Sequence, residues 1–219
     1  MVNSASPRHP VSTEVPEVVV SRLPQYVRIL KQLLDDGVQV ANSQQLGEQL
    51  QVTPAQIRKD LSYFGRFGKQ GRGYSVVHLL DELNQILGLN QRWNVVIIGM
   101  GRLGKAILSY PGFTPDGFHL VAALDNNPEL VGQEAGGLSI QAIGELDNVV
   151  KEHQITIAIV AVPSTATQQV IDHLVDCRVR AILNYAPISP QVPPTVRIQN
   201  IDPVLSLQAM TYYLTSNPE

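Results

Sequence analysis

Val95-Val96-Ile97-Ile98 runs straight into Gly99-Met100-Gly101-Arg102-Leu103-Gly104, and this stretch decides the fold of the larger part of the chain. Four consecutive β-branched apolar residues fit a strand buried on both faces. The glycine spacing after them is weak in isolation. Here it leaves a strand and opens a helical pattern, the context that a dinucleotide-binding turn needs. Gly99 permits the tight turn, Gly101 lets a pyrophosphate approach the backbone, and Gly104 lets the helix pack on the strand. Met100, Arg102 and Leu103 complete the turn. The helix start then directs free N–H groups and a positive dipole end at the phosphates.

Downstream, the second strand ends in Leu124-Asp125, 21 residues past Gly104. An acid at that point accepts hydrogen bonds from the adenosine ribose and repels the 2′-phosphate of NADP, so NADH or NAD⁺ is the expected ligand. Strands are expected over 94–98, 119–124, 155–162, 181–183 and 196–199, with helices over 103–109, 144–153 and 165–177. Apolar strands alternating with helices imply a doubly wound, Rossmann-like parallel sheet. Two further strand ends belong at its crevice. One is Val162-Pro163-Ser164. The other is Asn184-Tyr185-Ala186-Pro187, where a nicotinamide could lie. Read by themselves, both are equally ordinary turns.

Upstream the periodicity is helical throughout. Val19, Leu23, Tyr26, Val27, Leu30 and Leu34 share a face over 18–34, closed by Gly37, with Pro24 marking a first turn or a kink. Ser43 is the expected cap of a short helix carrying Leu46 and Leu50. Thr53 caps a second helix with Pro54 at its first position, running to about Phe64 and stopping at Gly65. Two short helices across a tight turn form a helix-turn-helix. The basic, glycine-rich segment 65–73 reads as a hairpin wing, and one more helix over 77–87 ends at Gly88. The α/β domain is therefore preceded by a winged-helix domain. The expected organisation is a flexible tail at 1–16, the winged helix at 17–88, the nucleotide domain at 89–201 and a terminal helix at 202–219.

In the second helix of the pair, Ile57, Leu61 and Phe64 form the apolar back. Lys59 and Ser62 point the other way, flanked by Gln56, Arg58 and Tyr63, as a helix reading a DNA major groove requires. Lys69 and Arg72 on the wing could reach phosphates or the minor groove. Charge agrees with this placement. The net charge of −3 conceals +4 over residues 53–74 and −4 from residue 90 onward.

The remaining composition excludes several classes. A chain of 219 residues with 44% hydrophobic and 16% charged residues buries an ordinary core. Its single cysteine, Cys177, rules out an internal disulfide or a cysteine-rich metal site and fits the cytoplasm. No apolar run is long enough for a membrane span, and the polar, proline-rich start has no signal-peptide core. The nucleotide domain uses up the sequence from Trp93 onward, leaving no room for a substrate domain. His119, His153 and His173 fall at a strand start, a helix end and within a helix, none at the carboxyl end of a strand beside a nicotinamide. A cofactor here is a ligand to be sensed, not a reagent.

From about residue 16 to residue 214 the chain resembles one family, the redox-sensing transcriptional repressor Rex. The resemblance is carried by Ser21-Arg22-Leu23 with Tyr26 and Arg28, and by Gln56-Ile57-Arg58-Lys59-Asp60-Leu61-Ser62-Tyr63-Phe64-Gly65. Gly71-Arg72-Gly73-Tyr74, the glycine turn, Tyr110-Pro111-Gly112-Phe113, Val162-Pro163 and Ile182-Leu183-Asn184-Tyr185-Ala186-Pro187 extend it. It implies a homodimer that holds palindromic double-stranded operator DNA when NADH is low and releases it when NADH binds. It also implies a C-terminal helix swapped into the partner subunit, with Arg28, Tyr110 and Asp202 coupling the two domains. Asn127 departs from the second acid that relatives often carry after Asp125. The run of apolar residues over 204–214 supports the swap independently, because a helix apolar all round must be buried all round. Two readings compete: a small NAD-dependent oxidoreductase with an accessory helical domain, and a CoA-binding regulatory subunit, against which Asp125 argues.

Overall fold

The computed structural model describes residues 15–69 and 72–216. The expected tail up to residue 14, the wing tip at Gln70 and Gly71, the Lys69 side chain and the last three residues lie outside the described residues. Two compact units divide between Asn90 and Gln91.

The first unit runs α1 (Glu17–Asp35), β1 (Val40–Ala41), α2 (Ser43–Leu50), α3 (Pro54–Ser62), β2 (Gly68–Lys69), β3 (Gly73–Ser75) and α4 (Val76–Leu87). α1 buries Val19, Leu23, Tyr26, Val27, Leu30 and Leu33. Pro24 lies inside α1, beyond its first turn, on the exposed side where water can hydrate the carbonyl it leaves unpaired. The cap of α2 is Asn42, one residue before the expected Ser43. Its side chain accepts from the Gln44 and Gln45 amides, and the Gln45 side chain accepts from the Asn42 amide, a reciprocal box that serine at 43 has no register to make. Thr53 and Pro54 open α3 as expected. β1 was not expected; two residues are too short to show alternation. It pairs antiparallel with β3, giving a three-stranded sheet of order β1-β3-β2.

The second unit runs β4 (Trp93–Ile98), α5 (Arg102–Leu108), β5 (Phe118–Asp125), β6 (Glu134–Ala135), β7 (Leu138–Ala142), α6 (Leu146–Glu152), β8 (Ile157–Val160), α7 (Ser164–Asp176), β9 (Ala181–Asn184), β10 (Arg197–Asn200) and α8 (Pro203–Ser216). The sheet order is β10-β9-β8-β4-β5-β7-β6, parallel except for the β6–β7 pair. The chain builds β4, β5 and β7 outward, then returns to lay β8, β9 and β10 on the other side. The order therefore reverses between β4 and β8, where open α/β sheets bind ligands. Successive side chains of β4 alternate between faces. Val96 and Ile98 pack with Leu146, Val149, Ile171 and Leu174 of α6 and α7 on one face. Val95 and Ile97 pack with Met100 and Ile107 on the other. Full burial of such a side chain contributes about 1.5–3 kcal/mol.

The β6–β7 hairpin was missed by sequence reasoning. Its signal is Gly136-Gly137, both at positive φ (56° and 82°), the two-residue turn that matches strand twist. Strand β8 is two residues shorter than expected at each end, and past its carboxyl end Ala161 and Val162 line the crevice. On α8 the apolar side chains stand in solvent: Leu205 61%, Leu207 60%, Tyr213 69% and Leu214 75% exposed. Among the described residues no helix is long and apolar enough to cross a membrane.

Candidate functional site

The glycine turn sits at the reversal of strand order, on a cleft of about 1050 Å³, at the large end of the roughly 300–1,000 Å³ usual for ligand clefts. Gly99, Gly101, Arg102, Leu103, Asp125, Val162 and Pro163 all line it. Met100 is fully buried beneath the turn, and Gly104 is buried against it.

The three glycines are constrained in different ways. Gly99 has φ +95°, and a Cβ there would meet the Ala161 carbonyl oxygen at 2.5 Å. A Cβ on Gly104 would stand 1.8 Å from the Gly99 oxygen. These two are required by the protein's own packing. A Cβ on Gly101 would meet nothing within 4 Å. Packing leaves that position free, so the open face of the turn is what glycine preserves there. No side chain caps α5, which leaves its first-turn amides available to a phosphate. The turn therefore fits a dinucleotide pyrophosphate.

Asp125 is held more tightly than its sequence position suggests. Oδ2 accepts from the Met100 amide at 2.6 Å and Oδ1 from the Asn127 amide at 2.8 Å. The carboxylate clamps β5 to the glycine turn, and its remaining lone pairs face the cleft that Asn126 and Asn127 also line. Asn127, the departure from the family's second acid, thus gives its backbone amide to Asp125.

The third strand end behaves differently. Asn184 is fully buried. Its Nδ2 donates to the Ala186 and Ile188 carbonyls at 3.1 Å each and to Asn200 Oδ1 at 2.9 Å, and its Oδ1 accepts from the Ala186 amide at 3.0 Å. The side chain is spent on holding the turn, and Asn184, Ala186 and Pro187 do not line the cleft. Ala186 is buried and Pro187 exposed. His173, which sequence reasoning kept away from the nucleotide, reaches the cleft wall. It lies near the far end of α7, about 14 Å along the helix from Ser164, and hydrogen-bonds Asp147 at 2.8 Å.

In the first unit, α3 presents Arg58, Lys59 and Ser62 to solvent, with Gln56 and Tyr63 half-buried. Ile57 and Leu61 are buried behind them. Arg58 Nη1 donates to Ser43 Oγ at 2.9 Å, linking α3 to the start of α2. A groove of about 670 Å³ is lined by Ser43, Arg58, Ser62 and Arg66 among others. Arg66 had entered only the charge count; its place beside Arg58 became visible once the hairpin was folded back. Arg72 is exposed at the start of the returning strand.

The strongest feature here was not anticipated. Asp60, the lone acid of the basic segment, is fully buried. Arg22 Nε and Nη2 each donate to it at 2.7 Å, Tyr26 Oη at 2.6 Å and Gln56 Nε2 at 2.6 Å. Burial alone pushes the Asp60 carboxyl up, but the hydrogen bonds from Arg22, Tyr26 and Gln56 outweigh it and hold the group below its usual range. Burial, then the bond to Asp60, pushes the Tyr26 phenol far up, so it stays a donor. The network bolts α3 to α1. Gln56 gives one of its amide hydrogens to it.

Of the residues expected to couple the domains, Arg28 is exposed on α1. Tyr110 is 59% exposed and meets Phe113 edge-on at 5.4 Å. Asp202 Oδ1 accepts from the Val204 amide at 2.9 Å, capping α8.

Comparison with known proteins matches both units. A family model described as "Putative DNA-binding protein N-terminus" matches residues 14–62, and one described as "CoA binding domain" matches residues 90–188. The redox-sensing transcriptional repressor Rex of Chloroflexus aggregans is 52% identical over 93% of this chain and 96% of its own. Rex 1 of Thermotoga maritima is 38% identical over 92% and 97%. Among solved structures, RSP in complex with β-NAD⁺ and operator DNA superposes with a TM-score of 0.89 at 38% identity, covering 94% of each chain. RSP in complex with β-NADH gives 0.84 at 36%, covering 94% of this chain and 96% of that one.

Proposed function

The chain belongs to the Rex family of redox-sensing transcriptional repressors, and from that membership we propose how its two units work. The cleft at residues 99–104 takes NADH and NAD⁺, with Asp125 holding the turn and the ribose end and selecting against NADPH. The α3 face reads operator DNA through Lys59, Arg58, Ser62 and Tyr63, with Arg66, Lys69 and Arg72 on the backbone. NADH binding lowers affinity for DNA. The observation that carries the reading is Gly101: its glycine is unexplained by packing and explained by a ligand, in a chain that also presents a basic helix-turn-helix face.

The protein acts as a regulator and turns nothing over. Supporting this, the described cleft offers His173 as its only imidazole, remote from the strand ends and engaged by Asp147. The working form is a homodimer that binds a palindrome, with α8 exchanged between subunits. The exposed apolar surface of α8 supports this, since a helix with Leu205, Leu207, Met210, Tyr213 and Leu214 in water calls for a partner. Arg28, Tyr110 and Asp202 transmit the nucleotide state. The deciding experiment is a titration of a palindromic operator by the full chain, with saturating NADH and NAD⁺ added in turn. NADH should release the DNA and NAD⁺ should not. DNA affinity that ignores both nucleotides would overturn the proposal, as would turnover of a hydroxy acid or aldehyde.

A further inference from the structure

One group of side chains, which touches the far wall of the cleft through His173, has chemistry that neither the glycine turn nor the α3 face uses. Asp147 stands in the first turn of α6, His173 near the end of α7, and Cys177 directly after α7. His173 and Cys177 are four residues apart, so they share a face of the helix. Their donor atoms and an Asp147 carboxylate oxygen all lie within 4.8 Å of one another. His173 Nε2 is 2.8 Å from Asp147 Oδ2, and Cys177 Sγ is 3.4 Å from Oδ1.

We propose that Asp147, His173 and Cys177 form a binding site for a zinc-class divalent cation. A tetrahedral ion with bonds of about 2.0–2.3 Å holds its ligands about 3.3–3.8 Å apart. The Sγ–Oδ1 separation already meets this; His173 Nε2 is bonded to the other oxygen, Oδ2, so the carboxylate and the imidazole must turn until one oxygen faces the ion with Nε2 about half an ångström further off. His173 and Asp147 are exposed enough to make that adjustment by rotating a side chain. One nitrogen, one oxygen and one sulfur suit zinc, cobalt or a similar borderline ion and disfavour magnesium and calcium, which want oxygen alone. Three protein ligands leave a fourth position open to water or an exogenous ligand. Asp172 and Asp176, from the same stretch of α7, add negative charge nearby.

Burial, then the hydrogen bond to Asp147, pushes the Cys177 thiol up to about 11, so it is a thiol at neutral pH. Metal binding converts it to thiolate and releases that proton to solvent. The ion would tie α6 to α7 by bonds to metal, in addition to the apolar packing and hydrogen bonds that already join them.

The test is a titration of the reduced, full-length chain with Co²⁺, followed by competition with Zn²⁺. The wild type should take up one Co²⁺ per chain with a thiolate-to-cobalt charge-transfer band and the intense visible bands of a tetrahedral site, both erased by Zn²⁺. Cys177→Ser should lose the charge-transfer band. Changes one shell out from a metal cost about 10–100-fold in affinity, so losing a direct ligand in His173→Ala should weaken Zn²⁺ at least about a hundredfold. Asp147→Asn, at a solvent-exposed position, repeats the test with the least disturbance of the fold. The site is wrong if the wild type develops no charge-transfer band. It is equally wrong if the band survives in Cys177→Ser, or if His173→Ala and Asp147→Asn bind Zn²⁺ like the wild type. None of these outcomes depends on DNA or NADH.

Discussion

Replacing Gly101 by alanine should leave the protein folded and take away the nucleotide. A Cβ there meets no atom of the protein within 4 Å, and the backbone, at φ −67° and ψ −162°, is open to any L-residue. The methyl narrows the unfolded ensemble, so stability should hold or rise by about 0.4–1 kcal/mol. The space it fills lies over the uncapped start of α5, where a pyrophosphate would accept backbone hydrogen bonds. A charge-assisted hydrogen bond is worth about 1.5–3 kcal/mol, so forcing one apart should weaken NADH about tenfold to a hundredfold. Gly104→Ala is the internal control. Its Cβ would stand 1.8 Å from the Gly99 oxygen, where real contacts stay beyond about 3.0 Å, so α5 must move away from the turn. Overpacking of this kind costs about 1–3 kcal/mol or more, and NADH affinity should fall as a consequence. Thermal melts without nucleotide, paired with calorimetric NADH titrations, separate the two cases. Wild-type NADH affinity in Gly101→Ala would refute the placement of the pyrophosphate, and a melt lower than that of Gly104→Ala would refute the packing argument.

Asp60→Asn strips Arg22 of its charged partner. Breaking one side of a buried pair costs about 3–5 kcal/mol, so the first unit should melt more than about 10 °C lower while NADH binding persists; an unshifted melt would dismiss the network. Because the folded-state Asp60 carboxyl is held below its ordinary value of 3.8, its contribution is present above that value and is lost as pH falls through the lower one. Acid melts should therefore be steeper for the wild type than for Asp60→Asn. Asp125→Ala should weaken NADH and narrow its advantage over NADPH, and equal calorimetric affinities for the two nucleotides in the wild type would contradict the selectivity. Lys59→Ala should cost about 1–3 kcal/mol of operator binding with NADH affinity unchanged; undiminished operator affinity would remove Lys59 from the reading face. Asp202→Asn, which keeps an oxygen to cap α8, and Tyr110→Phe should bind NADH yet blunt DNA release by about tenfold to a hundredfold, the worth of one charged hydrogen bond. A wild-type response in both variants would dissolve the coupling.

The amino-acid sequence by itself determined most of what depends on neighbours along the chain, the Gly136-Gly137 hairpin being a local signal that was missed. Thr53 and Pro54 open a helix because a side-chain oxygen and a missing amide act within one turn. Gly88 closes α4 because it can take φ +70°. The residues of β4 and the glycines after it announce a phosphate turn because strand, turn and helix follow one another within twelve residues. The apolar circumference of α8 likewise needs only a helical wheel. What the tertiary structure decided are pairings between distant residues. Asp60 reads as one more polar position on an amphipathic helix until Arg22, 38 residues earlier, is laid against it; only then is it a buried anion and not a solvated one. Asn184 looks like a cofactor ligand until Asn200 closes over it from the neighbouring strand. The reversal of strand order, which makes the crevice, comes from β8 pairing with β4 across more than fifty residues. Asp147, His173 and Cys177 become one cluster only because α6 and α7 pack side by side on the same face of the sheet. Periodicity shows which face of a helix is buried, but what a polar side chain meets there is set by long-range packing, and that is written in no single stretch of the chain.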